Sequence, residues 1–193
     1  SACHAMLISE DYRRLNSELH KTHPGYGSHG GKYVNNVLKL AQKYGAKSVL
    51  DYGCGKGALS GSVKNHGRQA RSLKVLEYDP CIKGKGTPQP ADMVVAFDVM
   101  EHIEPECLDD VLAHIHSLTG KCFYCVIATR AAKKILSDGR NAHLIIRPPG
   151  WWLKQLNKLF EVAMFAERED DLQCAAECTP RRTDGADQGI HRV

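Results

Sequence analysis

Apolar residues recur along the chain at two spacings, and these spacings predict which segments are helices and which are strands. Between residues 8 and 19 they recur every three or four positions, which predicts an amphipathic helix. A second helix is predicted to begin at Tyr33 and to end before Gly45, a residue suited to terminating it. Residues 23–31, rich in glycine and histidine, lie between the two and predict a loop.

Short, mostly apolar runs bounded by glycine, proline or acidic residues predict the strands of a sheet. Their positions are 48–52, 73–78, 92–97, 123–129, 160–166 and 172–178. Further helices are predicted at 58–66, 105–118 and 131–136 and from Pro149 onward. Strands alternating with helices predict an α/β fold with a doubly wound, Rossmann-like, mostly parallel sheet. The last two strands predict an antiparallel C-terminal hairpin, and the polar residues 179–193 predict a tail.

Length and charge narrow the class of protein only a little. The chain has 193 residues, the size of one domain, and 26 basic against 22 acidic residues give a net charge of +4. Such a mild excess neither requires nor excludes a nucleic-acid partner. The longest strongly apolar stretch, Met93–Phe97, is far shorter than the roughly 18 residues of a membrane span, and no signal sequence opens the chain. We therefore expect a cytoplasmic protein with no membrane partner.

Eight cysteines raise two hypotheses, a zinc site and a set of reduced, buried thiols. Only Cys122 and Cys125 have the CxxC spacing of a zinc ligand pair, and they lie inside an apolar run that predicts a strand. A zinc site needs a second close pair, so reduced thiols are the favoured interpretation.

A glycine-rich loop, residues 51–57, follows the first predicted strand and precedes a helix. Glycines are needed where such a turn is tight and a ligand approaches the backbone closely. Gly53, Gly55 and Ala58 also match the relaxed pattern of dinucleotide-binding proteins, so a nicotinamide cofactor is one alternative. Asp51 argues against it, because a carboxylate two residues before the first glycine repels a pyrophosphate and suits a cationic amine.

An acid at the end of the next strand would complete a cofactor site by accepting hydrogen bonds from both ribose hydroxyls. Asp79 ends the strand 73–78 and lies 22 residues after Gly57, close to the expected ~20. The spacing therefore predicts that Asp79 and the glycine-rich loop hold one ligand between them.

These residues resemble the motifs of the class I S-adenosylmethionine-dependent methyltransferases. The segment 49–57 is similar to the family's first motif, Tyr78–Asp79 to its ribose-binding acid, and 91–103 to its fourth strand with a common tail. The compact form is similar to small methyltransferase-like proteins of bacteriophage and bacteria. The resemblance implies an S-adenosylmethionine-binding domain over 31–178, with a helix and loop of residues 1–30 lying over the cofactor site. The cofactor-binding residues that it implies are Asp51, Gly53, Gly55, Gly57, Asp79, Pro80, Phe97 and Asp98.

The chain departs from this family between Asp79 and Asp92. The family places a helix and a third strand there, but this segment is short and rich in glycine, proline and lysine. A helical crossover alone takes about a dozen residues. We therefore expect a sheet of about six strands that lacks the usual third strand, with adenine resting on residues 80–82 and on Phe97.

Candidate catalytic residues follow the fourth strand and recur in a later loop. Asp98, Glu101 and His102 are spaced so that one helical turn can aim all three side chains at one point, and His143 can supply a fourth donor. Two carboxylates with two imidazoles suit manganese, iron or zinc better than magnesium. The pattern is similar to the metal site of small-RNA 3′-terminal 2′-O-methyltransferases and of ubiquinone-pathway O-methyltransferases, from which Asp98 departs at the first position. The alternatives are that His143 and His102 are catalytic bases without a metal, or that His143 is a hydrogen-bonded loop residue.

The sequence contains less evidence about the acceptor than about the cofactor. Residues 121–150 carry six basic residues against one acid, which suits a phosphorylated or nucleic-acid substrate but is also typical of a solvated face. Arg140 is a candidate anion clamp, with a solvated arginine as the favoured alternative. Trp151–Trp152 is a candidate stacking wall, with core packing of one of the two rings as the favoured alternative. The favoured function is methyl transfer to an oxygen or nitrogen of a small-molecule or nucleotide-like acceptor. A cofactor-binding protein without transfer activity and a nicotinamide-dependent oxidoreductase are the alternatives.

Overall fold

The fold is built on one mixed sheet of six strands. The computed structural model describes residues 5–67 and 70–182, and its strands are β1 Ser48–Tyr52, β2 Lys74–Tyr78, β3 Ala91–Phe97, β4 Thr119–Ala128, β5 Phe160–Arg168 and β6 Gln173–Pro180. Their order across the sheet is β2-β1-β3-β4-β6-β5. Strands β1 to β4 run parallel, whereas β6 is antiparallel to both β4 and β5. The predicted fold class is confirmed, including the antiparallel hairpin.

The described residues also form five α-helices, which are α1 Glu10–Thr22, α2 Val34–Tyr44, α3 Ala58–Asn65, α4 Leu108–Leu118 and α5 Pro149–Leu156. Local signals set their ends: Ser9 Oγ accepts a hydrogen bond from the N–H of Tyr12 at the start of α1, and Gly45 adopts a φ of +59° after α2. In the part of the chain that the structure describes, no helix is both long and apolar enough to cross a membrane.

Strand β3 is buried on both faces, which explains its uninterrupted apolar sequence. Val94 and Ala96 pack in one core layer with α4 and α5, and Met93 and Val95 pack in the other with α2 and α3. None of these four side chains is exposed to solvent. The two layers hold the parallel strands in place, so that their carboxyl ends meet at one end of the sheet.

The expected shortening of the sheet is also confirmed. Residues 79–90, which connect β2 to β3, contain neither a helix nor a strand. Strand β2 is therefore an edge strand, and three of its five residues are only partly buried. A connection of this length can pass β1 and enter β3, but it cannot also build a helix and another strand.

The helix predicted over residues 131–136 is wrong. Residues 129–148, called here the β4–α5 loop, contain instead an isolated antiparallel bridge between Ile135 and Asn141. The Asn141 side chain also bonds both the N–H and the carbonyl oxygen of Ala132, each at 2.9 Å. These bonds give the backbone of the loop partners that compete with a helix.

The first two residues of the predicted polar tail, Thr179 and Pro180, belong to the sheet. Thr179 and Pro180 continue β6 along β5, because the hairpin is longer than the apolar pattern of its strands. The side chains of Arg181 and Arg182 then donate hydrogen bonds to backbone carbonyl oxygens of the domain. Residues 183–193, the rest of the predicted tail, lie outside the described residues.

The CxxC cysteines face opposite sides of the sheet. Cys122 lies in the core layer with α2 and α3, whereas Cys125 lies in the layer with α4 and α5. Both are buried, and both have free thiols. Side chains on opposite faces of a strand cannot bind one ion, so this geometry agrees with reduced, buried thiols.

Candidate active site

A cavity of about 480 Å³ lies at the carboxyl ends of the parallel strands. Its walls come from the glycine-rich loop, the residues after β2, the residues after β3 and the β4–α5 loop. Residues 5–30, called here the N-terminal segment, supply a further wall. Open α/β sheets bind ligands at this position, and small-molecule sites have volumes of roughly 300–1,000 Å³.

The glycine-rich loop follows β1 directly and is held against the end of β2. The N–H of Gly53 donates to the carbonyl oxygen of Tyr78 at 2.7 Å. Gly55 has a φ of +51°, and a Cβ atom at this position would overlap the backbone of Gly27. Gly53 and Gly55 line the cavity, whereas Gly57 caps α3 and is not part of the wall.

Asp51 is a buried acid of the cavity wall, near the end of β1. Asp51 is only 3% exposed to solvent. Burial, and then the Glu77 carboxylate, raise the pKa of Asp51 to about 7. A cationic group bound beside Asp51 would offset the cost of ionising this buried carboxyl group.

Asp79 lies in the cavity wall just after β2, where the spacing predicts a ribose-binding acid. Its carboxylate accepts hydrogen bonds from the N–H groups of Gly55 at 3.0 Å and Cys81 at 2.9 Å. These bonds fix the carboxylate against the glycine-rich loop. The neighbouring acid Glu77 is paired instead with Lys85 at 2.9 Å and is not part of the cavity wall.

The other predicted cofactor contacts have different surroundings. Pro80, Phe97 and Asp98 all line the cavity. The ring of Phe97 stacks on Tyr33 with centroids 4.3 Å apart, and the residue is 7% exposed, so most of this ring packs in the core. Asp98 has a φ of +54°, a conformation that non-glycine residues adopt rarely and that clusters at functional sites. Its carboxylate lies 3.8 Å from Nζ of Lys32.

Glu101, His102 and His143 meet in the cavity wall and form a group called here the Glu-His-His cluster. Each offers one ligand atom, and these atoms lie within 4.8 Å of one another. Glu101 and His102 lie in a single 3₁₀ turn after β3, whereas His143 comes from the β4–α5 loop. Asp98 is not part of this group, so the structure brings together three of the four residues predicted to bind a metal.

Backbone carbonyl groups determine which nitrogen of each imidazole carries the proton. His102 Nδ1 lies 2.7 Å from the carbonyl oxygen of Ala142, and His143 Nδ1 lies 2.6 Å from that of Arg130. Because a carbonyl oxygen can only accept, each Nδ1 is the donor and each neutral ring keeps a lone pair on Nε2. Burial, and then His143, lower the pKa of His102 to about 4, and burial also lowers that of His143. Both imidazoles are therefore neutral at neutral pH.

Glu101 is completely buried, and its two carboxylate oxygens have different surroundings. Oε1 accepts a hydrogen bond from the N–H of Ala128 at 3.0 Å, whereas Oε2 has no hydrogen-bond partner among the described residues. Burial, and then the Asp98 carboxylate, raise the pKa of Glu101 to about 8. A free carboxylate oxygen beside two imidazoles is a donor set suited to a transition-metal ion or a hydroxylated ligand.

The N-terminal segment supplies cavity residues that the sequence analysis did not single out: Tyr12, Asn16, His20 and Tyr26. The Tyr26 hydroxyl donates to Asn16 Oδ1 at 3.1 Å, and the Tyr12 hydroxyl donates to the carbonyl oxygen of His102 at 2.5 Å. One signal was available for Asn16. It lies four positions after Tyr12, on the face of α1 that is otherwise apolar, where a polar residue needs a partner.

Two candidate substrate contacts do not line the cavity. Arg140 is paired with Asp138 at 2.7 Å and does not line the cavity, so it is not a free anion clamp. Trp152 is fully buried in the core, and Trp151 lies beside Arg147 in a separate surface groove. Both tryptophans lie on helix α5, and neither ring faces the cavity. The direction of these rings could not be predicted from the sequence.

The comparison with protein families agrees with the geometry of this site. Residues 26–167 match the family model described as "Methyltransferase domain". The match covers most of the chain, so the protein belongs to this family, and the resemblance seen in its motifs is confirmed. No curated protein sequence matches the chain.

Solved structures show the same class I methyltransferase fold. The 1,6-didemethyltoxoflavin-N1-methyltransferase of Burkholderia thailandensis, solved with 1,6-didemethyltoxoflavin and S-adenosylhomocysteine, has a TM-score of 0.63 at 14% identity, over 93% of this chain and 94% of that one. The magnesium protoporphyrin IX methyltransferase of Synechocystis PCC 6803, solved with bound S-adenosylmethionine, has a TM-score of 0.57 at 15% identity, over 91% and 100%. Protein PH0226 of Pyrococcus horikoshii OT3 has a TM-score of 0.56 at 14% identity, over 85% and 99%.

Proposed function

We propose that the protein transfers the methyl group of S-adenosylmethionine to an oxygen or nitrogen atom of a small-molecule or nucleotide-like acceptor. One observation carries the proposal: a cavity joins the glycine-rich loop, Asp51 and Asp79 to the Glu-His-His cluster. Membership of the methyltransferase family supports it, as do structural neighbours solved with S-adenosylmethionine or S-adenosylhomocysteine.

The residues around β1 and β2 suit the parts of this cofactor. The Asp51 carboxylate attracts the ammonium group of the methionine moiety. Gly53 and Gly55 leave room for the cofactor against the backbone, and Asp79 accepts hydrogen bonds from the ribose hydroxyls. Pro80 offers an apolar contact for adenine. Asp98 belongs to the cofactor contacts in this proposal, because its carboxylate stands outside the Glu-His-His cluster.

The Glu-His-His cluster suits the acceptor. In-line attack breaks the bond between the sulfonium sulfur and the methyl carbon and forms a bond from that carbon to the acceptor atom, so S-adenosylhomocysteine leaves. Without a bound metal ion, the proton of an acceptor hydroxyl passes to Nε2 of His143 or His102, where each neutral ring has its lone pair.

The same residues fit a divalent cation. Oε2 of Glu101, which has no partner in the part of the chain that the structure describes, and the two Nε2 lone pairs are ligands of the kind that manganese, iron or zinc prefers. Glu101, His102 and His143 would hold this ion. When bound, such an ion lowers the pKa of an acceptor hydroxyl and orients it.

Calorimetric titration of the purified protein with S-adenosylhomocysteine and with NAD tests the cofactor assignment. We expect S-adenosylhomocysteine to bind and NAD to bind weakly or not at all. Tighter binding of NAD overturns the proposal, since the pocket would then belong to an oxidoreductase.

A product assay tests the transfer itself. The protein is incubated with S-adenosylmethionine, with or without manganese, and with a panel of phenols, catechols, sugars and nucleosides. Mass spectrometry should detect S-adenosylhomocysteine and an acceptor heavier by one methylene unit in equal amounts. Cofactor binding without product from any acceptor would instead favour a cofactor-binding protein that transfers no methyl group.

A further inference from the structure

Three basic side chains of the β4–α5 loop line the cavity without an acidic partner among the described residues: Arg130, Lys133 and Lys134. Other basic residues nearby are paired. Lys32, also in the cavity wall, lies 3.8 Å from Asp98, and Arg140 pairs with Asp138. The unpaired charges are therefore concentrated at one part of the wall.

The backbone that carries these charges also orients the two imidazoles. The carbonyl oxygen of Arg130 is the partner of His143 Nδ1 at 2.6 Å. The carbonyl oxygen of Lys134 accepts a hydrogen bond from the N–H of Ala142 at 3.0 Å, and the carbonyl of Ala142 is in turn the partner of His102 Nδ1. Arg130 and Lys134 are therefore connected, through a few covalent and hydrogen bonds, to the two imidazoles that face the acceptor.

Lys134 is also held in place by an aromatic ring. Its Nζ lies 4.7 Å from the centre of the Tyr26 ring, and Tyr26 lines the cavity. A cation over an aromatic face is attracted to it but keeps its charge available for an anion. Lys133 beside it is exposed, so the pair offers one oriented and one free ammonium group.

The unpaired bases lie on a different loop of the cavity wall from Asp51 and Asp79. Asp51 and Asp79, at the ends of β1 and β2, favour a ligand with a cationic group and donor hydroxyls. The unpaired bases of the β4–α5 loop favour a ligand with an anionic group. An uncharged acceptor would leave these bases unused.

We propose that the acceptor is a small molecule that carries an oxyanion, a phosphate or a carboxylate, which Lys133 and Lys134 bind while the methylated atom lies at the Glu-His-His cluster. This inference rests on the proposed function. A small molecule is favoured over a nucleic acid because the cavity of about 480 Å³ must also hold the cofactor, and the chain carries a net charge of only +4.

Two matched pairs of probes test the inference on protein saturated with S-adenosylhomocysteine. The carboxylate arm compares 3,4-dihydroxybenzoate with catechol, and the phosphate arm compares ribose 5-phosphate with ribose. Calorimetry should show that at least one anionic probe binds about tenfold or more tightly than its neutral match. The arm with the larger ratio identifies the oxyanion.

The double variant Lys133→Gln, Lys134→Gln should reduce the preferred anion to the affinity of its neutral match and leave the affinity for S-adenosylhomocysteine unchanged. A double variant of two exposed lysines outside the cavity, Lys39→Gln, Lys154→Gln, is the control and should keep the preference. Added salt should weaken the anionic probe more than the neutral one.

The possible failures can be told apart. If S-adenosylhomocysteine binds but charged and neutral probes bind equally in both arms, the inference is wrong while the proposed function stands. If S-adenosylhomocysteine does not bind, the proposed function itself fails. A short single-stranded oligonucleotide that binds more tightly than ribose 5-phosphate, and loses this advantage in the Lys133→Gln, Lys134→Gln variant, would replace the small molecule by a nucleic acid.

Discussion

The two halves of the cavity, which the proposed function assigns to the cofactor and to the acceptor, are built in different ways. The cofactor half, at the ends of β1 and β2, comes from two short motifs that contact each other through Gly55 and Asp79. The acceptor half comes from the turn after β3 and the β4–α5 loop, which are far apart in the sequence, and the N-terminal segment borders both halves. Motifs of adjacent residues can be recognised from a sequence, whereas the meeting of His143 with Glu101 and His102 was one of several hypotheses that the structure had to decide.

The halves also differ in how completely their polar groups are satisfied. In the cofactor half, the Asp79 carboxylate already accepts two backbone N–H bonds. In the acceptor half, Oε2 of Glu101 has no partner within the described ranges, and each imidazole uses Nδ1 but not Nε2 for a carbonyl group. The first half is preorganised by the protein, and the second leaves its donors and acceptors for a ligand.

The largest expected effect comes from Gly55→Ala, which should damage the cofactor half alone. The residue has a φ of +51°, and its new Cβ would overlap the Gly27 backbone, so the loop must move. We expect calorimetry to show a loss of about 100-fold in affinity for S-adenosylhomocysteine. Gly61→Ala is the matched control, because a Cβ there meets no neighbouring atom. Equal affinities of the Gly55→Ala and Gly61→Ala proteins would contradict the assignment of the cofactor half.

The converse experiment damages the acceptor half. Glu101→Gln and His143→Gln each remove one donor of the cluster, and we expect manganese affinity to fall at least about 10-fold. The affinity for S-adenosylhomocysteine should stay within about twofold. His66→Gln, at an exposed position outside the cavity, is the control. A wild-type protein that binds no manganese, and whose activity survives excess chelator, would refute the metal part of the proposal.

Asp79→Asn should have a smaller effect within the cofactor half. The amide keeps one acceptor oxygen but loses the charge that strengthens the hydroxyl contacts, so S-adenosylhomocysteine should bind about tenfold more weakly, or about 1.4 kcal/mol. Glu77→Gln is the matched control at the neighbouring acid, which pairs with Lys85 near the surface. A larger loss for Glu77→Gln than for Asp79→Asn would assign the ribose contact to Glu77.

The smallest effect is a pH dependence confined to the cofactor half. Burial raises the pKa of Asp51 from 3.8 to about 7, so the free protein binds a proton there that an incoming ammonium group displaces. Affinity for S-adenosylhomocysteine should therefore rise from pH 6 toward pH 8, by at most about tenfold per pH unit below 7. For folding the sign is opposite: the stability that this protonated group contributes is fully present below pH 3.8 and is lost as the pH rises through about 7.

Calorimetry at several pH values checks this, with Asp51→Asn as the variant that should show no such slope. A wild-type affinity that is constant between pH 6 and pH 8 would mean that Asp51 does not face the ammonium group.

Sequence patterns predicted the fold and the place of the glycine-rich loop and Asp79 at one cavity because their signals are local. Strand β3 is buried on both faces, so its apolar run is uninterrupted, and the short segment 79–90 limits what can form between β2 and β3. The positive φ angles of Gly53 and Gly55 could be expected from the sequence, because glycine is the residue that adopts them readily. The predicted helix over 131–136 was wrong because a distant contact, from Asn141 to Ala132, outweighed the helical spacing.

By itself, the sequence determined the class I methyltransferase fold, the missing third strand and the two cofactor motifs, because each depends on residues close together in the chain. Only the tertiary structure decided which donors meet. In the structure His143 lies beside Glu101 and His102, and Asp98 lies outside their group. Lys133 and Lys134 are part of the cavity wall. The positions of these side chains depend on packing between segments that are tens of residues apart in the chain. The spacing of hydrophobic residues reports local structure and does not indicate such contacts.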